Sequence, residues 1–187
     1  MPSTSLNATL PRALLQELRT DHAGETGAVM IYRGVLAVAR DPALRAFAAH
    51  HLETECRHLQ LIEDVVPAAW RSRLLPLWRV SGWLTGALPA CFGPGAVYAT
   101  IEAVETFVDR HYAAQTALID GLVPQSPAAS QQLQALRALI EECRLDEVAH
   151  RDDAAGRWHG NAGMLLSAWR WLVGWGSQAA VGVCRYC

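Results

Sequence analysis

Two Glu-x-x-His pairs, Glu55/His58 and Glu147/His150, each fall in the middle of an otherwise apolar helical stripe, and no other feature narrows the fold as far. The earlier stripe reads Leu44, Ala48, His51, Glu55, His58, Ile62, Val65. The later one reads Leu136, Ile140, Cys143, Glu147, His150. Steps of three and four keep these residues on one helix face, the face that a bundle turns inward. Residues three apart on that face can grip a single ion. One Glu-x-x-His arises by chance in many helical proteins. The weight lies in the pair, and in what the remaining helices add.

Each of the other two long periodic segments carries a carboxylate on a comparable stripe. The first runs Leu14, Leu18, Asp21, Glu25, Ala28, Tyr32, Val35, and the other runs Tyr98, Ile101, Glu105, Val108, Tyr112. Glu102 competes with Glu105 but shares its face with Thr106 and Asp109, a wetter stripe. Four carboxylates aimed at one core repel one another, and even one buried unpaired charge costs several kcal/mol. Two divalent cations would balance them, with neutral imidazoles completing the coordination. The predicted ligands are Glu25, Glu55, His58, Glu105, Glu147 and His150, the arrangement of ferritin-like di-iron and di-manganese proteins. So oxygen-rich a set favours two iron ions, with manganese as the alternative, over zinc. Glu55 and Glu147 are expected to bridge, with Glu25/His58 and Glu105/His150 terminal. Asp21, His51, His111 and Asp146 are candidates for orienting the histidines from behind.

Strand-like alternation is nearly absent, and turn chemistry separates the helices. A helix is expected from about Pro11 to Ala39. Asp41-Pro42 and Ser126-Pro127 each pair an N-cap with proline at the first helical position, opening helices to about Val66 and Trp158. Another is expected from Gly93-Pro94-Gly95 to about Leu122. The fold class is therefore all-α, a ferritin-like four-helix bundle. It carries an apolar insert between its second and third helices, about residues 67–95, and a C-terminal apolar or amphipathic helix, about 162–187. The 187 residues suit one domain, with about the first ten flexible.

The insert and tail also suggest where the molecule sits. Val80 to Ile101 and Trp171 to Cys184 hold no charged residue. Pro89, Pro94 and four glycines argue against a straight membrane span in the former, and the latter is short. Trp78, Trp83, Trp169 and Trp171 border or enter these segments, and tryptophan favours the membrane–water interface. Arg73, Arg79, Arg170 and Arg185 lie close enough in sequence to meet anionic headgroups. Peripheral attachment to a membrane is the expectation, with an ordinary buried core and a true span as the alternatives, and these tryptophans would mark the access side. Sixteen Lys+Arg against eighteen Asp+Glu argue against a nucleic-acid partner. Five scattered cysteines read as reduced thiols, and the Cys184/Cys187 pair has no second pair to complete a zinc site. The opening residues lack the pattern of a secretory signal, which points to a bacterial or already trimmed chain.

Several stretches, namely LRTDHAGETGAVMIYRG with Glu25, HHLETECRHL with Glu55 and His58, LLPLWRVSGWLTGAL, AVETFVDRHYAAQ with Glu105, and RLDEVAHRDDA with Glu147 and His150, resemble the demethoxyubiquinone hydroxylase family. The resemblance covers nearly the whole chain from Leu18 onward, and the family's ligands fall on the six positions chosen above. Departures at Thr26 and in the terminal VGVCRYC touch no predicted ligand. The resemblance implies an O2-dependent monooxygenase of ubiquinone biosynthesis that hydroxylates a polyprenylated demethoxy-benzoquinol, with NADH or the quinol itself as reductant. It also implies a place on the cytoplasmic face of a bacterial inner membrane, with ubiquinone-biosynthesis partner proteins or copies of itself as companions. Two other classes share the ligand logic: iron handling of the ferritin or rubrerythrin kind, and a non-catalytic quinone-binding assembly partner.

Overall fold

The structure, a computed structural model, describes residues 10–158 and 163–187. Residues 1–9, most of the expected flexible start, lie outside the described residues. Six α-helices are described: α1 (Arg12–Val38), α2 (Pro42–Val65), α3 (Leu75–Ala90), α4 (Pro94–Asp120), α5 (Pro127–Arg157) and α6 (Met164–Cys184). A short 3-10 turn at Ala68–Trp70 follows α2. No strand occurs among the described residues.

The helix starts follow from capping chemistry. The Leu44 N–H donates to Asp41 Oδ1 at 2.7 Å, and the Ala129 N–H donates to Ser126 Oγ at 3.1 Å. Both satisfy an N–H that the first turn leaves free, with proline fixing the next φ. Gly93 separates α3 from α4 at φ 99°, a left-handed conformation that favours glycine, and Pro94 opens α4. That turn breaks the uncharged run from Val80 to Ile101 into two helices. Among the described residues, no helix is long and apolar enough to cross a membrane.

Two apolar layers sandwich the charged middle of the bundle. One joins Tyr32 and Val35 of α1 with Leu44 and Phe47 of α2, Ile101 of α4 and Ala154 of α5. The other joins Leu14 and Leu18 with Ile62, Tyr112, Leu136 and Ile140. The first half of α1 thus meets the second halves of α2 and α4 and the first half of α5. So α1 and α5 run one way, and α2 and α4 the other. Since α2 and α4, which lie diagonally across the bundle, run parallel, the chain between them must travel the bundle's length. That connection is α3, laid along α1.

The α1–α3 contact is backbone against backbone. A Cβ placed on Gly86 would lie 1.9 Å from the Ile31 carbonyl oxygen, and one on Gly82 would lie 2.4 Å from that of Gly27. Only glycine permits this approach. The last helix, α6, crosses to α4 and α1. Trp169 Nε1 donates to Thr100 Oγ1 at 2.9 Å, and Arg185 Nε pairs with Glu17 Oε1 at 2.8 Å. Outward, α3 shows Leu77, Val80, Trp83, Leu84 and Leu88, while α6 shows Leu165, Trp171, Leu172 and Trp175.

Candidate metal centre

The inward stripes of four helices meet between the apolar layers. Glu25 comes from α1, Glu55 and His58 from α2, Glu105 from α4, and Glu147 and His150 from α5. All six are buried, at 3% exposure or less. They form two overlapping groups: Glu25, Glu55, His58 and Glu147 in one, Glu55, Glu105, Glu147 and His150 in the other. Within each group one donor atom per residue lies within 4.8 Å of the rest. Glu55 and Glu147 belong to both.

Both histidines turn Nδ1 inward. His58 Nδ1 lies 2.9 Å from Glu147 Oε1 and 3.8 Å from Glu25 Oε2. His150 Nδ1 lies 3.0 Å from Glu55 Oε1 and 3.2 Å from Glu147 Oε2. Behind His58, Nε2 meets Asp146 Oδ2 at 3.0 Å, and Arg57 bridges Asp146 and Glu142. Behind His150, the His51 ring packs edge-on at a centroid distance of 4.3 Å. His51 Nε2 in turn meets Asp153 Oδ2 at 3.0 Å. Asp146 and His51 therefore touch the Glu-x-x-His histidines, whereas Asp21 and His111 pair with each other.

Burial and like charge dominate the electrostatics. Burial pushes the carboxyls of Glu25 and Glu105 well above the usual range, and the other carboxylates of the cluster push them further. Glu55 is raised by burial and by Glu147. Glu147 goes the other way, down to about 2: burial opposes ionisation, but hydrogen bonds from His150 and His58 outweigh it. Burial also opposes the charged imidazoles. The carboxylates nonetheless hold His58 up to about 10 and His150 up to about 9, Glu147 foremost through hydrogen bonds.

Hydrogen bonding leaves this cluster incomplete. Glu25 Oε2, both oxygens of Glu55, Glu147 Oε2 and His150 Nδ1 are buried and, among the described residues, have no well-aligned hydrogen bond, close as His150 Nδ1 lies to Glu55 and Glu147. Such groups are rare and call for a partner. Carboxylate oxygens and imidazole nitrogens are hard-to-intermediate donors suited to divalent first-row cations. The donor set fits such a cation in each half.

Sequence reasoning did not assign roles to the two tyrosines. Tyr112 of α4 donates its phenolic hydrogen to Glu25 Oε1. Tyr32 of α1 is buried, and its phenol is held protonated by burial and by the nearby carboxylates, Glu105 first. A repeated spacing was the available signal, since each tyrosine lies seven residues, two turns, after its own helix's glutamate.

A cavity of about 390 Å3 leads outward from Glu25, Glu105 and Glu147. It runs between α1, α3, α4 and α6 past Val108 and Phe107 to Trp78, Trp169 and Trp175. Of the tryptophans predicted at the entrance, Trp78 and Trp169 line this cavity, half-buried. Trp83 and Trp171 instead stand on the outer apolar face.

Residues 12–184 match the family model of the ubiquinone biosynthesis protein COQ7. A 3-demethoxyubiquinol 3-hydroxylase of Rhodospirillum rubrum is 39% identical over 148 residues, covering 76% of this chain and 64% of that protein. A mitochondrial 5-demethoxyubiquinone hydroxylase of Saccharomyces cerevisiae is 34% identical over 153 residues, covering 73% and 63%. A protein of Caenorhabditis elegans named NADPH-dependent 3-demethoxyubiquinone 3-hydroxylase is 27% identical over 178 residues, covering 92% and 90%. The aligned stretch spans somewhat less than two thirds of the first two relatives.

Proposed function

Because the chain belongs to the family of the ubiquinone biosynthesis protein COQ7, we propose that it hydroxylates a polyprenylated demethoxyubiquinol with O2, using two iron ions held by Glu25, Glu55, His58, Glu105, Glu147 and His150. One observation carries this reading. The cavity that starts at three of those carboxylates is mostly apolar and ends among tryptophans beside the exposed apolar face of α3 and α6. An enzyme that takes its substrate from a bilayer needs such a path, and an iron-storage protein does not.

When bound, the metal pair supplies the reduction of O2 and the transfer of one oxygen atom to the ring. The ring C–H becomes C–OH, the second oxygen leaves as water, and two electrons and two protons are consumed. Relatives named NADPH-dependent support a nicotinamide as one source of the electrons, alongside the quinol itself. The chain's own residues do the positioning. Glu55 and Glu147 reach both halves of the centre, and Tyr112 holds Glu25. Asp146 fixes the His58 ring so that Nδ1 faces inward. The apolar walls exclude water, which would otherwise compete for the oxidant. Leu77, Val80, Trp83 and Leu84 of α3 and Leu165, Trp171, Leu172 and Trp175 of α6 rest on the membrane surface, peripheral rather than spanning.

Glu147→Ala tests the catalytic reading, since it removes a ligand shared by both halves. In a bacterial strain that lacks this hydroxylation, the unaltered chain should restore ubiquinone. The variant should leave the demethoxy precursor to accumulate. Normal ubiquinone with the variant would overturn the proposal in favour of a non-catalytic assembly role.

A further inference from the structure

Another hollow, of about 380 Å3, lies between α4 and a different face of α6. Arg110 and Thr106 of α4 line it, with Arg170, Trp171 and Gln178 of α6. Trp171 belongs to the exposed apolar face, where its ring stacks on Trp175 at a centroid distance of 6.3 Å. Phe107 borders both this hollow and the cavity that leads outward from Glu25 and Glu105. The hollow thus stands beside that cavity, at the edge of the outer apolar face.

The charges around it are unbalanced. Helices α3 and α6 carry no acidic residue, and their charged residues are Arg79 and Arg170. On α2 and α5, Arg57, Arg137, Arg144, Arg151 and Arg157 each pair with a carboxylate. Arg110 is exposed and has no such partner among the described residues. Its sequence neighbour Asp109 is already engaged by Arg144 and Arg151. Arg170 is fixed in place, with Nη2 at 3.0 Å from Glu102 Oε2 and its guanidinium 5.2 Å above the Trp158 ring. One carboxylate therefore answers two guanidinium groups, and the hollow keeps a surplus positive charge.

We propose that this hollow seats the phosphate of an anionic phospholipid between Arg110 and Arg170. The assignment rests on the reading of α3 and α6 as a membrane-facing surface. Guanidinium forks match phosphate oxygens two N–H bonds at a time, and the Gln178 amide adds a further donor. A lipid phosphate lies where tryptophan rings also settle, at the level between water and hydrocarbon, so its acyl chains can run along the apolar face that starts at Trp171. A zwitterionic headgroup brings its own cation and leaves the surplus charge unanswered, whereas an anionic one neutralises it. Seated there, the lipid holds α6 on the bilayer and the neighbouring cavity at headgroup depth.

The test is co-sedimentation of the purified full chain with two kinds of vesicle at fixed salt. One is phosphatidylcholine alone, and the other holds phosphatidylcholine and phosphatidylglycerol in equal parts. The unaltered protein should partition about tenfold or more in favour of the anionic vesicles, as two arginines at such a surface allow. Arg110→Gln should lose about fivefold on the anionic vesicles and nothing on the neutral ones. Arg137→Gln makes the same change in net charge on α5 and should behave as the parent. Equal partition of Arg110→Gln and the parent overturns the assignment, and so do equal losses in the two variants. A change of tryptophan fluorescence with inorganic phosphate as large as that with anionic vesicles also overturns it, in favour of a soluble phosphate ligand. If the parent binds both vesicles equally, the phosphate seat fails alone. If it binds neither, the membrane reading of α3 and α6 fails as well.

Discussion

Gly86→Ala should destabilise the protein, although the same change in an open helix would stabilise it. Gly86 sits in α3 where the new Cβ would lie 1.9 Å from the Ile31 carbonyl oxygen and 2.8 Å from its carbon. Ordinary contact begins at 3.4 Å, so the two backbones must separate by about 1.5 Å. Neither obstacle is a flexible side-chain tip that can swing aside. Overpacking of this kind costs about 3 kcal/mol, the upper part of its usual range. Replacing glycine by alanine inside a helix returns about 1 kcal/mol. The net loss is about 2 kcal/mol, or roughly 4–8 °C of melting temperature for a chain of this size. Thermal unfolding followed by circular dichroism measures it. Gly156→Ala is the control, because among the described residues nothing lies within 4 Å of its Cβ position, and Gly156 is exposed on α5. It should melt at or slightly above the parent. If Gly86→Ala also melts at or above the parent, α3 does not press its backbone on α1, and the wall of the cavity has been placed wrongly.

Removing the support behind His58 should weaken the site without removing a ligand. Asp146→Ala is expected to lower metal affinity about 10- to 100-fold, measured by competition with a chelator. An unchanged affinity would mean that Asp146 serves only Arg57 on the surface. Metal uptake should also release protons. Without metal, Glu25 and Glu105 lie well above the carboxylate range, and His58 and His150 sit at about 10 and 9. His58 and His150 are thus predominantly protonated at neutral pH, and Glu25 and Glu105 hold their protons more readily than ordinary carboxyls, so a cation must displace protons to bind. Apparent affinity for Fe2+ therefore rises with pH across the neutral range, and adding Fe2+ anaerobically to weakly buffered protein acidifies it. Uptake with no proton release would refute this account of the charges.

Much of the buried carboxylate–histidine cluster was legible because helical period and burial agree. Glu55 and His58 share a stripe with Leu44, Ala48 and Ile62, and all five are buried. The same arithmetic favoured Glu105 over Glu102, which lies half-exposed against Arg170 at 3.0 Å. At the end of α2 the arithmetic slipped by one residue. Val66, past the helix end, is the buried one rather than Val65, because the chain leaves helical geometry there. The insert was harder to read. Its glycines look like interruptions, yet Gly82 and Gly86 lie inside α3 as contact points, and only Gly93 makes a break. A glycine that admits a neighbouring backbone and one that turns the chain are identical letters. Partner choice behind the histidines is likewise tertiary. Asp21 lies on an inward stripe and Asp146 beside one, half-buried, and only the packing of α4 and α2 decides that one meets His111 and the other His58.

The two sides of the cluster, α2–α5 and α1–α4, differ in a way that explains the extra helices. The histidines come from α2 and α5, and Asp146 and His51 brace them there. The carboxylates with no Glu-x-x-His partner on their own helix, Glu25 and Glu105, come from α1 and α4, and it is beside these that the cavity begins. A four-helix bundle with so charged a middle layer would leave the α1–α4 side open to water, which would screen the carboxylates and compete at the centre. Covering that side with polar loops would keep water out but admit no lipid. Under the proposed function, covering it with α3 and α6 would do both, because their inner faces close a mostly apolar cavity while their outer faces remain apolar. The Gly27–Gly82 and Ile31–Gly86 contacts would then serve that function as well as the fold: they fix one wall against the helix that carries Glu25.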